Sequence, residues 1–293
     1  MIKRWKMEAI YPIAEKKAIH PIVIFKDGFL LWKKNFLSLS AIYLIVLLPH
    51  FVLTALFPKV FIQAGTCAIR PNSADSLAKL IGNLVALLIG VWAFVALIGA
   101  IKRVAGGADC KVIESIKDAA RRFAPCLGTM VLSGCVVAVP FLAVALGVPG
   151  AFLLIRSGII AELIIFLTGI ACFASSIYFF IRFSVGGIIS VVEDAGPIGA
   201  LKRSYRLTKN YVTPAIGELG LLLLLGVVTW IPAVFLSAVF RSNKLAYLWY
   251  YKHLIGIAFG PLYISILFML YRYLKEVVES DNISIIQGQE SRP

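Results

Sequence analysis

Six separate runs of roughly 20 predominantly apolar residues constrain this chain more than any other feature, because only a helix of that length satisfies its own backbone across about 30 Å of hydrocarbon. They extend from about Phe36 to Phe57, Leu80 to Ile101, Cys126 to Val148, Ile159 to Ile181, Ile216 to Phe240 and Leu254 to Tyr271. The first follows a mostly polar leader and is full length, so it reads as a span and not as a cleavable signal peptide. Composition agrees: 60% of the 293 residues are hydrophobic and 15% charged, against about 45–50% and about 25% in soluble domains. A soluble globular domain and a disordered chain are both excluded. The expected fold class is all-α integral membrane, with six transmembrane helices.

Charge then orients the chain. Of 29 Lys and Arg, 22 fall before span one, between spans two and three, between spans four and five, or after span six, and 7 fall on the other side. Cations resist translocation, so both termini are expected in the cytoplasm and the protein in the cell membrane, plasma or inner. The formal net charge of +14 does not suggest a nucleic-acid binder, because too little folded polar surface is available. Five cysteines show neither a CxxC pair nor metal-ligand spacing, so no disulfide framework, metal site or cofactor is expected.

An internal repeat organises the chain. Ile22, Phe25, Phe29 and Trp32 precede span one; Ile113, Ile116, Ala120 and Phe123 precede span three; Ile198, Leu201, Tyr205 and Thr208 precede span five. Each set has the spacing i, i+3, i+7, i+10 of one helix face. In every copy the second member is followed by lysine (Lys26, Lys117, Lys202) and then, two places later, by a small residue (Gly28, Ala119, Ser204). Lys102 and Arg182 each close a span ahead of a Gly-Gly pair at 106–107 and 186–187. The reading is three copies of a cytoplasmic amphipathic helix plus a transmembrane hairpin. It divides the chain into a basic segment (1–20), a six-span domain (21–275, with repeats about 21–107, 112–187 and 197–275) and a polar cytoplasmic tail (276–293).

Lys26, Lys117, Arg121, Lys202, Arg203, Arg206 and Lys209 stand opposite the apolar stripes, where anionic headgroups attract them by about 1 kcal/mol per cation. The plainer account is that these helices pack on the ends of the spans, with Gly28, Ala119 and Ser204 allowing close approach. A second candidate cluster is Arg182, Glu193, Asp194 and Glu218. Glu193 and Asp194 either pair with Arg182 or Arg203 to set register, or serve helix initiation, with Asp194 or Gly196 capping a helix that Pro197 begins. Glu218 faces a cavity between repeats or is held by a helix N-terminus. Arg156 and Glu162 meet across a turn or sit singly among headgroups. His50, after Pro49, is a proton relay or one histidine on a kinked helix. Tyr247, Trp249, Tyr250 and Tyr251 form an aromatic belt.

The stretch YFFIRFSVGGIISVVEDAGPIGALKRSYRLTKNYVTPAIGELGLLLL, from Tyr178 to Leu224, combines Arg182, the acidic pair, Gly-Pro and Ala200 to Lys209 leading into a span. It resembles the membrane domain attached to some glycerophosphoryl diester phosphodiesterases and that domain's stand-alone bacterial relatives, strongly over about fifty residues and topologically elsewhere. Tyr271 to Leu274 also looks like that family's end. The resemblance implies a six-span membrane domain without the soluble catalytic barrel, which needs about 250 residues where about twenty follow span six. Neither G-x-S-x-G, H-E-x-x-H nor a phosphate-binding glycine loop occurs. The expected function is therefore non-catalytic: organising anionic lipid, or an unidentified membrane or cytoplasmic protein partner, at the cytoplasmic leaflet. The alternative is a small transporter or permease with its site between repeats.

Overall fold

The computed structural model describes residues 20–57, 73–154, 159–209, 211–239 and 244–290. The basic segment before residue 20, together with Lys59, Arg70, Arg156 and Arg241, lies outside them. So do the side chains of Glu162, Tyr247, Trp249 and Tyr250, and with them the Arg156–Glu162 pair and most of the aromatic belt.

All regular structure among the described residues is helical. The elements are α1 (Pro21–Lys34), α2 (Phe36–Leu56), α3 (Ser73–Ala105), α4 (Val112–Leu154), α5 (Ile159–Phe183), α6 (Gly186–Val192), α7 (Pro197–Thr208), α8 (Val212–Val239) and α9 (Lys244–Glu290). Six stretches are long and apolar enough to cross a membrane: Phe36–Thr54, Leu80–Ala105, Val112–Pro140, Phe166–Val192, Val212–Pro232 and His253–Ser280. The architecture is that of a multi-pass membrane protein.

The chain divides into two compact units, one of residues 1–124 and 217–273, the other of 125–216 and 274–293. In the first, α2 packs on α3. Leu39, Ile42, Val46 and His50 form the buried stripe of α2, while Leu44, Ile45, Leu48 and Val52 remain exposed. An apolar residue on the outer face of such a helix is placed for lipid. Along α3, Val95 to Ile98, Ala100 and Ile101 are buried on every side, which requires neighbours all round. Leu222, Leu262 and Ile266 form a core onto which Phe25 and Trp32 of α1 pack. Gly28 sits directly on α9, since a Cβ there would lie 2.7 Å from the Ile266 Cα. The Tyr273 hydroxyl donates to Asp27 at 2.6 Å and ties the same two helices.

In the second unit α7 is the organising element, packed on α5 and α6. Pro197, at its first turn, closes on Gly128, where a Cβ would lie 2.8 Å from the proline Cγ. Gly186 lies beside Leu201 and Thr129, and the Ser176 hydroxyl donates to the Val137 carbonyl at 3.0 Å.

Three boundaries differ from those read in the sequence. The second amphipathic segment is not a helix of its own: it is the first turns of α4, whose 43 residues run unbroken through Pro125. A proline kinks a helix more readily than it ends one, whereas Asn35, with φ −118°, does separate α1 from α2. The second Gly-Gly pair also behaves unlike the first. Gly107 adopts φ 79° and ends its helix, with its N–H donating to the Val104 carbonyl. Gly186 and Gly187 instead open α6, because the residues after them, Ile188 to Val191, are apolar or small and become buried. Finally, α9 continues through the expected tail to Glu290.

Candidate functional site

The basic segments come first, because the sequence pointed to them most strongly. On α1 the fully packed positions are Ile24 and Gly28; on the first turns of α4 they are Ser115 and Ala119; on α7 they are Ala200, Ser204, Leu207 and Thr208, the last a member of the expected stripe. The residues that begin the expected apolar stripes lie outside these faces, with Ile22 61%, Ile113 70% and Ile198 63% exposed. Lys26, Lys117 and Lys202 are exposed as well, as are Arg121, Arg206 and Lys209. Each segment therefore presents a packed face that includes a small residue (Gly28, Ala119 or Ser204) and, beside it, an outward isoleucine with a lysine.

Arg203 departs from this pattern. Its guanidinium lies 3.5 Å from Glu193 and 3.2 Å from Glu279, and Lys275 lies 3.4 Å from the same Glu193. The groups are partly exposed, so the network sets geometry more than it adds stability. Arg182 takes a different environment from the acidic one considered for it. Its guanidinium carbon stands 4.9 Å from the ring centres of both Tyr178 and Tyr205, a stacked arrangement that suits arginine's planar cation. The Arg182 carbonyl accepts from the Ser204 hydroxyl at 2.7 Å, so backbone and side chain together hold α7 against α5. Asp194 has φ 51° and turns the chain between α6 and α7, whose N-cap is Gly196.

Near the start of α8, in the other unit, Glu218 is fully buried and neither carboxyl oxygen has a hydrogen-bond partner among the described residues. Across the short connection from α3 to α4, which carries Cys110, Arg103 of α3 bridges Glu114 and Asp118 of α4. Burial there pushes the Cys110 thiol up from its ordinary value, against the pull of the Arg103 charge.

The first unit also holds a cavity of about 440 Å³, which sequence reasoning missed. Its walls include Tyr43, Trp230, Tyr251, Tyr263 and the stacked rings of His50 and His253, whose centres are 5.1 Å apart. Tyr43 reaches α9 because Gly256 and Gly260, one turn apart, leave room: a Cβ at Gly260 would stand 3.1 Å from its ring. The Tyr251 hydroxyl donates to the Thr229 carbonyl at 2.7 Å. A signal for the pairing existed in the sequence, since His50 and His253 both lie toward the same ends of their spans. No group of three or more His, Cys, Asp or Glu among the described residues is placed to hold a metal ion.

Neither a family model, a curated protein nor a solved structure matches the chain.

Proposed function

We propose that this protein is a non-catalytic relative of the phosphodiesterase-associated membrane domain, built as three repeats, which organises anionic lipid at the cytoplasmic leaflet. Both termini face the cytoplasm in this reading, as the cation bias requires. One observation carries it. Counted along the repeat, two packed positions coincide in all three segments (24 and 28, 115 and 119, 200 and 204), as do the outward isoleucine and lysine. A helix packed by small residues on one side, with an isoleucine and a cation on another, is placed to lie at headgroup level. Lys26, Lys117, Lys202, Arg206 and Lys209 would meet the phosphates, and Arg203 would hold α7 in place through Glu193.

The test uses detergent-purified protein titrated with phosphatidylglycerol or phosphatidylcholine while its unfolding midpoint is followed. Phosphatidylglycerol is expected to raise the midpoint more, and changing Lys26, Lys117 and Lys202 together to Gln is expected to shrink that difference. Equal effects of the two lipids, or an unchanged difference in the triple variant, would refute the proposal.

Glu218 favours a second reading, a small transporter, because an ionisable residue buried in a candidate span is a functional suspect. Solute-dependent stabilisation that disappears in Glu218→Ala would support it, and a flat response across a broad solute screen would count against it.

A further inference from the structure

We infer that the cavity among α2, α3, α8 and α9 binds an uncharged, lipid-soluble molecule whose polar end carries carbonyl oxygens. The inference does not depend on the basic segments or on which side of the membrane they occupy.

Position comes first. His50 lies 14 residues beyond the start of α2, about 21 Å along its axis at 1.5 Å per residue, while Tyr43 lies about 10 Å along it. The cavity therefore spans membrane depth from the middle of the hydrocarbon toward the end of the span remote from α1. A ligand at that depth arrives through lipid or from the adjoining interface.

Chemistry narrows it further. Among the described residues no Asp, Glu, Lys or Arg lines the cavity, so a fixed charge on the ligand would be buried among them without an opposite charge, at a high desolvation penalty. Six rings, Tyr43, His50, Trp230, Tyr251, His253 and Tyr263, line it together with aliphatic residues and glycines, and hydroxyls, imidazoles and an indole are the polar groups of its side chains. The Tyr43 hydroxyl beside Gly256 and the Tyr263 hydroxyl beside Gly226 make no hydrogen bond among the described residues, and each is free to donate. Donors without an opposing charge select an acceptor oxygen. Flat aromatic walls accommodate a planar ring or a pair of ester groups, and about 440 Å³ falls within the size of small-molecule pockets. Quinone headgroups and diacylglycerols share this chemistry.

Glycines provide the decisive variant. A Cβ added at Gly90, on the cavity wall, would meet nothing within 4 Å, so a larger side chain enters the empty space without displacing backbone. Gly90→Leu puts a bulky side chain into the cavity and suits a helix better than glycine does. Full-length protein in detergent would be titrated with decylubiquinone and, separately, dioctanoylglycerol, following the unfolding midpoint and Trp230 fluorescence. Dodecyl phosphate and dodecyltrimethylammonium serve as charged counterparts.

Saturable stabilisation by either uncharged probe is expected, and the one that acts identifies the source, ring or ester. Gly90→Leu is expected to abolish the effect with an unfolding midpoint at or above that of the unaltered protein. Tyr263→Phe is expected to weaken binding about fivefold, one hydrogen bond's worth; should Gly90→Leu not fold, this second variant decides. Stabilisation retained in the decisive variant, a response to neither uncharged probe, or a larger response to a charged one would overturn the inference. None of these outcomes bears on the phosphatidylglycerol test of the basic segments.

Discussion

At the scale of single residues, the informative positions are those where the backbone or burial leaves few choices. Asp194 is the one non-glycine residue with positive φ among the described residues, and the left-handed region is open to Asp, Asn and Gly but strained for β-branched side chains. Thermal unfolding should therefore show Asp194→Gly close to the unaltered protein and Asp194→Val less stable by about 1–2 kcal/mol. Glu218 is the opposite case, a buried polar group with no hydrogen-bond partner among the described residues. If its role is structural only, Glu218→Leu should raise the unfolding midpoint, because an unpartnered buried polar group opposes folding. A lowered midpoint would show that the carboxyl serves packing or binding. Cys110 offers a pH test outside the candidate spans. Its raised pKa means less thiolate at neutral pH, so maleimide labelling, with the other cysteines changed to Ala, should be slow at pH 7 and still climbing above pH 9.

Helices show why an apolar stripe was a good guide to existence and a poor guide to facing. The i, i+3, i+7 pattern located α1 and α7, yet the fully buried positions are Ile24 and Gly28 on α1 and Ala200, Ser204, Leu207 and Thr208 on α7, so only part of each stripe, including Phe25 and Trp32 or Thr208, packs inward. In water the larger apolar side chains would have been driven inward. Small residues that allow close approach, Gly28 on α1 and Ser204 on α7, share the decision over which side faces protein. Gly28 is the sharpest instance, with no room for a methyl group beside Ile266. Gly28→Val should push α1 from α9 and lower stability by about 1–3 kcal/mol, measured as a shift of the unfolding transition. Gly90→Val, facing open space, is the matched control. The junctions were legible only in part: Asn35 breaks the helix and Pro125 does not, because neither residue type dictates the outcome without its neighbours.

For the whole molecule, the cation bias makes a prediction of topology. Fusing a reporter active only in the cytoplasm to either terminus should give signal, and a periplasmic reporter inserted after residue 57 or 240 should be active. The reversed pattern would overturn the orientation and the lipid proposal with it. Six long apolar helices were readable from the chain alone because each is a local property: about 20 residues must satisfy their backbone in hydrocarbon, whatever surrounds them. The cations at the ends of the spans were legible for the same reason, and so was the spacing of Lys26, Lys117 and Lys202. Pairings between distant segments were not. His50 meets His253, Tyr43 settles on Gly256 and Gly260, Arg182 stacks between Tyr178 and Tyr205, and the space among four helices becomes a cavity. Those are outcomes of helix packing in three dimensions, where small differences in fit select partners that no local pattern of polarity encodes.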